Sequence, residues 1–200
     1  MNIRQRRLMS DYEKIREEFA RHRSIRVQAM GNPPYERYNI TYFVKSLYWD
    51  VRQDCPCERS QHEVEIYLGL DYPREKPQCQ IKTPVFHPNF GAQTICIGDH
   101  WAASSSLLDT IVKIGEMLQF RDYNPKSPLN SSAARWVIEN KKYLPIGKID
   151  LYSPEPEIAI GEKSNASTSD EDDLDICLGP APQKKTVAKD EDLALDIVFK

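Results

Sequence analysis

Val85-Phe86-His87-Pro88-Asn89-Phe90-Gly91-Ala92-Gln93-Thr94-Ile95-Cys96-Ile97-Gly98 is the stretch on which the fold of this chain turns. A thiol, Cys96, follows a His-Pro-Asn turn, and beyond it come Trp101, a helix-like apolar pattern and a second proline-rich loop. Taken alone, Ile95-Cys96-Ile97-Gly98 also reads as a packed strand fragment, the common state of a structural cysteine. Its neighbours on both sides decide between the two.

Upstream, Leu8, Tyr12, Ile15 and Phe19 recur at helical spacing, which predicts an amphipathic helix over Arg6 to about Arg23. Ser24 to Met30 alternates, and Gly31-Asn32-Pro33-Pro34 is turn chemistry. Arg37 to Trp49 is rich in Tyr, Ile, Thr, Phe and Val, as strands prefer. His62 to Leu70 sets Val64, Ile66, Leu68 and Leu70 on one side and Glu63, Glu65 and Tyr67 on the other. With Gln78 to Thr83 these make four strands of an antiparallel meander with one wet face. Gln53 to Arg59 reads as a polar hairpin loop between them. Its Cys55 and Cys57, with His62, have the chemistry of zinc ligands, but C-x-C lacks the usual spacer and no second pair follows, so no metal is expected. Downstream of Cys96, Leu107, Leu108, Ile111, Val112, Ile114, Met117 and Leu118 mark a helix starting at a Ser105 or Ser106 cap. Tyr123 to Asn130 is a loop bounded by prolines, and Ser131 to about Lys142 a last helix.

Two hundred residues with 40% hydrophobic content support one mid-sized core plus extra length. No apolar run is long enough to span a bilayer, and the basic start lacks the apolar core of a secretory signal. Five cysteines, an odd number, argue against a secreted disulfide framework, so a cytoplasmic address and no membrane contact are expected. The net charge of -3 hides an asymmetry: residues 1–149 carry 22 Lys/Arg against 17 Asp/Glu, residues 150–200 only 5 against 13. Eight of the basic residues lie in the first 26 positions. Nothing beside them reads or stacks on bases, so nucleic acid is not an expected partner.

The order helix, four strands, active-site loop, helix, loop, helix, with Tyr72-Pro73, Pro77, His87-Pro88-Asn89, Cys96, Trp101 and Pro128-Leu129-Asn130 placed along it, resembles the ubiquitin-conjugating enzymes. The resemblance covers residues 1–148 as one catalytic domain of α+β, UBC-like fold, and leaves 149–200 as an acidic tail. In compactness it looks more like the versions found in bacterial ubiquitin-like modification operons. It implies that Cys96 accepts a ubiquitin-like protein as a thioester from an activating enzyme and passes it to an amine, with no metal or organic cofactor at that step. A thiolate suits this because it is both nucleophile and leaving group. Asn89 would support the loop and stabilise the oxyanion. His87, in the same catalytic segment, reads better as a turn-holding residue. Ser127 stands where many relatives have an acid that deprotonates the incoming lysine, which leaves Asp99 or Asp122 as substitutes. Arg6, Arg7 and Lys14 fall on the surface this family uses to dock its activating enzyme. Arg74 and Ala103 replace contacts often made to ligases, which puts ligase dependence in question.

The tail reads as disordered, Pro-, Ser- and acid-rich sequence. Within it Asp170-Glu171-Asp172 leads into Leu174, Ile176 and Leu178, and Asp190-Glu191-Asp192 into Leu195, Ile197 and Phe199. Acids followed by alternating apolar residues suit strand addition to a partner's sheet edge, and the two segments are expected to bind a ubiquitin-like protein, a partner enzyme or the body's own basic helix. Two other functions fit the residues: a catalytically silent adaptor of the same fold, and a thiol hydrolase with His87 or His100 as base.

Overall fold

Asn2 starts the first helix by a reciprocal cap: its side chain accepts from the Gln5 amide at 2.7 Å while Gln5 Oε1 accepts from the Asn2 amide at 3.0 Å. The computed structural model describes residues 2–98 and 101–152. Helix α1 (Ile3–Phe19) begins and ends earlier than its apolar spacing predicts, and buries Leu8, Ile15 and Phe19 together with one acid, Asp11.

Strands β1 (Ile25–Met30), β2 (Arg37–Tyr42), β3 (Ser46–Asp50), β4 (Cys55–Arg59), β5 (His62–Tyr67) and β6 (Gln78–Ile81) follow. Four of them form an antiparallel sheet in the order β1-β2-β5-β6. Its register lines up Val27, Ile40, Val64 and Ile81 across every strand, whereas Asn39, Glu65 and Gln80 line up on the other face. Two-residue periodicity makes this inevitable once the register is set. Leu8, Ile15, Ile40, Ile66 and Leu68 are at most 1% exposed, each contributing about 1.5–3 kcal/mol by burial. Helix α2 (Leu107–Leu118) starts at Ser106, whose hydroxyl caps Asp109, and adds Ile111, Ile114 and Leu118 to the same core.

Within the expected loop over Gln53 to Arg59, Gln53 and Asp54 do turn, but Cys55–Arg59 is instead a strand. The chain bends after Tyr42 and leaves the sheet, and β3 pairs with β4 as a separate hairpin, Tyr48 opposite Cys57 and Trp49 opposite Pro56. Asp50 accepts from the amides of Arg52 and Gln53 and so closes the turn. Cys55 and Cys57 behave as small apolar side chains, buried with Tyr48. Proline is tolerated because a two-stranded ribbon is all edge.

A second core forms beneath this hairpin. Helix α3 (Ser131–Glu139), capped by Asn130, packs Trp136 and Val137 against Leu47, Phe86 and Phe120. Helix α3 is shorter than expected and passes into a 3-10 turn at Lys141–Tyr143. The body also runs past the expected boundary at 148: the buried Gln119 amide donates to the Ile149 carbonyl, and Leu151 packs against the main core. A side chain at Gly147 would strike Gln119, so the close approach there requires glycine.

Two histidines are held neutral inside. His62 is fully buried with Nε2 3.0 Å from the Arg59 carbonyl, and burial pushes its pKa down to about 4. Burial pushes His87 down to about 3. The unfolded chain therefore binds more protons once the pH falls below the ordinary value of 6.5. Their contribution to stability is intact above that value and is lost as pH falls towards 4, at roughly 1.4 kcal/mol per pH unit for each. Urea unfolding at pH 7, 6 and 5 is expected to show this decline, and His62→Gln, if folded, a shallower one.

Candidate active site

Between the two cores the chain makes a tight hairpin. Phe90 bridges to Ile95, the Gly91 amide donates to Thr94 at 2.8 Å, and the Cys96 amide donates to the Asn89 carbonyl at 2.9 Å. The residues separating Asn89 from Cys96 are thus the length of chain needed to turn back. Its outgoing arm is pinned to β6 through the Ile95 amide and the Cys79 carbonyl at 3.2 Å. Cys96 itself is half-buried, between the buried Ile95 and Ile97. It then meets Gly98, whose φ of 98° admits only glycine without strain and whose carbonyl accepts from Lys76 Nζ at 2.9 Å.

His87 is fully buried among the rings of Phe90, Phe120 and Tyr123. Its Nδ1 accepts from the Asn89 amide at 3.1 Å. A neutral ring whose accepting nitrogen is occupied holds the turn and does not act as a base. The geometry suits the turn-holding reading of His87 better than a catalytic one, and the thiol-hydrolase reading loses that base; His100 lies outside the described residues.

Asn89 joins two segments. Its Oδ1 accepts from the Asn124 amide at 2.7 Å and its Nδ2 donates to the Asn124 carbonyl at 3.0 Å. The Pro88 carbonyl accepts from the amides of Leu129 and Asn130, at 2.8 and 3.0 Å. The loop carrying Ser127 is thereby tied at both ends to the hairpin carrying Cys96. Asn89→Ala is expected to cost about 1–3 kcal/mol and to accelerate hydrogen exchange at Asn124 more than at α2 amides. Equal acceleration everywhere would mean that only global stability had changed.

Cys96, Asn89 and Ser127 line one open cavity of about 300 Å³, together with Lys113, Asp122 and Tyr123. Lys113 and Asp122 approach to 4.0 Å across its rim. Of the two candidate substitute acids, Asp122 thus shares the cavity and Asp99 lies outside the described residues. The sequence reading missed Lys113, Tyr123 and Asn124. Lys113 lies four residues before Met117 on α2 and could have been found as the polar neighbour of an apolar stripe.

Arg7 is corrected as a docking residue, because it is turned inward. Its Nε sits 2.7 Å from Asp11 and its Nη1 2.8 Å from the Ala103 carbonyl, and Nη2 donates to the Ser105 carbonyl. Asp11, 2% exposed, also accepts from the Tyr72 hydroxyl at 2.5 Å. Trp101 Nε1 donates to the Pro73 carbonyl at 2.8 Å, so α1, the Tyr72 loop and the segment after Cys96 form one network. Burial first, then the Asp11 hydrogen bond, raises the Tyr72 pKa above its ordinary value. Arg6 and Lys14 are exposed. The tail residues Leu174, Ile176, Leu178, Leu195, Ile197 and Phe199 lie outside the described residues.

Residues 7–144 match the family model described as ubiquitin-conjugating enzyme. The chain belongs to the ubiquitin-conjugating enzyme family. Relatives of this family include ubiquitin-conjugating enzyme E2 3 of Arabidopsis thaliana, 30% identical over 94 residues that cover 45% of this chain and 61% of that protein. Ubiquitin-conjugating enzyme E2 13 of Saccharomyces cerevisiae is 28% identical over 108 residues, 52% of this chain and 68% of the other. A solved ubiquitin conjugating enzyme E2 domain from Toxoplasma gondii matches with a TM-score of 0.49 at 23% identity, over 69% of this chain and 89% of that one. These relatives are eukaryotic and lend no support to the bacterial-type placement expected from the sequence. The chain spans about three fifths of the plant relative's length.

Proposed function

We propose that the protein accepts a ubiquitin-like modifier as a thioester on Cys96, from an activating enzyme in the cytosol, and transfers it to an amine. The observation that carries this is a half-exposed thiol, in a chain of the conjugating family, set on a hairpin beside Asn89 in an open cavity. In loading, the Cys96 sulfur attacks the activating enzyme's thioester and that enzyme's thiolate leaves. In transfer, the acceptor nitrogen attacks the new thioester carbonyl, loses a proton and expels the Cys96 thiolate.

Asn89 donates one Nδ2 hydrogen to Asn124; the other is suited to an oxyanion that appears only as the amine attacks. Ser127 can orient the incoming amine without drawing off its proton, so we assign that task to Asp122, which lines the same cavity. Arg6 and Lys14, exposed on α1, suit the docking of the activating enzyme. Transfer then depends on positioning, and a ligase that closes the cavity over the amine would accelerate it.

The test is a loading reaction with activating enzyme, ATP and modifier. A wild-type adduct that disappears on addition of reductant supports the proposal. Failure to form it with any activated ubiquitin-like protein tested in parallel, under conditions that load a known family member, would leave the adaptor reading.

A further inference from the structure

Away from Cys96, a groove of about 700 Å³, larger than the cavity of about 300 Å³ at the thiol, lies between the C-terminal half of α1 and strand β1. Its floor is apolar, formed by Ile15 and Phe19 from the helix and by Val27 and Ala29 from the strand. Its rim carries Arg16, Arg21, Arg23 and Arg26, and no carboxylate lines it. These arginines are exposed.

One wall of this groove is a sheet edge. Among the described residues β1 pairs only with β2. The Phe43 amide donates to the Ser24 carbonyl at 2.9 Å, which places the hydrogen-bonded pairs of this ladder at Ser24, Arg26 and Gln28. By the same alternation, the backbone groups of Ile25, Val27 and Ala29 point away from β2 into the groove. An open edge above an apolar floor accepts an extended segment whose apolar side chains alternate. A rim that carries Arg16, Arg21 and Arg26 and is lined by no carboxylate favours one that is negatively charged.

The chain contains such a segment. Asp170-Glu171-Asp172-Asp173 is followed by Leu174-Asp175-Ile176-Cys177-Leu178. As a strand this would set Leu174, Ile176 and Leu178 on one side, facing Val27 and Ala29, with the acids at one end. The acids reach the arginines of the α1–β1 turn when the segment runs parallel to β1. Eighteen positions separate Tyr152 from Asp170, a stretch that extends to at most roughly 60 Å, against a radius of gyration of about 15 Å for a body this size.

We infer that residues 170–178 occupy the groove of their own molecule by adding a strand to the open edge of β1. The second acidic-aliphatic segment, residues 190–199, has fewer preceding acids and a longer tether, which lowers its effective concentration. It is left for a partner. Occupancy covers the basic side of α1, so the tail competes with any acidic partner for that helix and yields as salt rises.

Amide hydrogen exchange on the full-length protein tests this whether or not Cys96 carries a modifier, so its outcome is separate from that of the loading assay. Val27 and Ala29 are expected to exchange at least tenfold faster in Ile176→Lys than in wild type, and in 1 M salt wild type is expected to match the variant. The substitution lies outside the described residues and changes none of their side chains. Equal rates in wild type and Ile176→Lys would overturn the inference. So would protection that is lost on Ile197→Lys instead, which would assign the groove to the second segment. Protection that grows with protein concentration would assign it to the tail of another copy and overturn the intramolecular contact.

Discussion

Cys96→Ala is expected to abolish the reductant-sensitive adduct and to lower conjugation by on the order of 10³-fold or more, with an unchanged circular dichroism spectrum. The thiol is the strongest nucleophile lining the cavity; the Ser127 hydroxyl and the Lys113 ammonium, its neighbours there, do not replace it. Because Cys96 is half-buried and held through its backbone amide, removing the sulfur leaves the Asn89 hydrogen bond intact. Cys96→Ser is the more informative variant. Its oxygen is expected to load slowly and then to keep the modifier as an ester that resists reductant and yields to base, because an alkoxide leaves less readily than a thiolate. Equal conjugation by wild type and Cys96→Ala would remove the thioester route altogether.

Asp11→Ala is expected to destabilise the protein by about 3–5 kcal/mol, measured as the loss of unfolding free energy in urea. The carboxylate is 2% exposed and accepts from both Arg7 and the Tyr72 hydroxyl. Removing it leaves the Arg7 guanidinium, itself largely covered, without its counter-charge. That is the costly half of a buried pair to leave behind. Replacing both partners, as Arg7→Met with Asp11→Leu, is expected to recover much of the loss. A double variant as unstable as Asp11→Ala would mean that the carbonyls of Ala103 and Ser105, which also accept from Arg7, dominate the contact. Because the network reaches Ser105 at the start of α2, the single variant is also expected to loosen the segment that follows Cys96.

Local chemistry made much of this legible from the chain. The alternation of Val64, Ile66 and Leu68 required a strand with one wet face, and the four-stranded order followed from it. Ser106 was readable as one of two candidate caps because a serine hydroxyl satisfies helix amides wherever a helix starts, whereas Asn130, read as the end of a loop, proved to cap α3. The His-Pro-Asn turn and Cys96 were readable as a site through their resemblance, in ordered company with Tyr72-Pro73, Trp101 and Pro128-Leu129-Asn130, to the ubiquitin-conjugating enzymes. The hairpin of β3 and β4 was not readable. Cys55-Pro56-Cys57 among polar residues looks like a loop, and only the buried position against Tyr48 makes the cysteines apolar wall. Asp11 did leave a signal: it lies three residues after Leu8 and four before Ile15, on the apolar face of α1. An acid on that face needs a buried partner, and that partner, Tyr72, is 61 positions away.

Spacing along the chain settled the main helices, the four-stranded meander and their order, because hydrophobic periodicity and turn chemistry act over a few residues. What each polar side chain faces was settled only in three dimensions. Arg6, Arg7 and Lys14 look alike on a helix, yet Arg7 alone turns inward, because Asp11 and Tyr72 meet it there. His87, nine residues before a thiol in the sequence, looks like a base, yet burial among three rings keeps it neutral. Charge and hydrogen-bonding capacity belong to the residue type; whether water, a carboxylate or an aromatic ring answers them is set by segments distant in sequence, and packing brings those together.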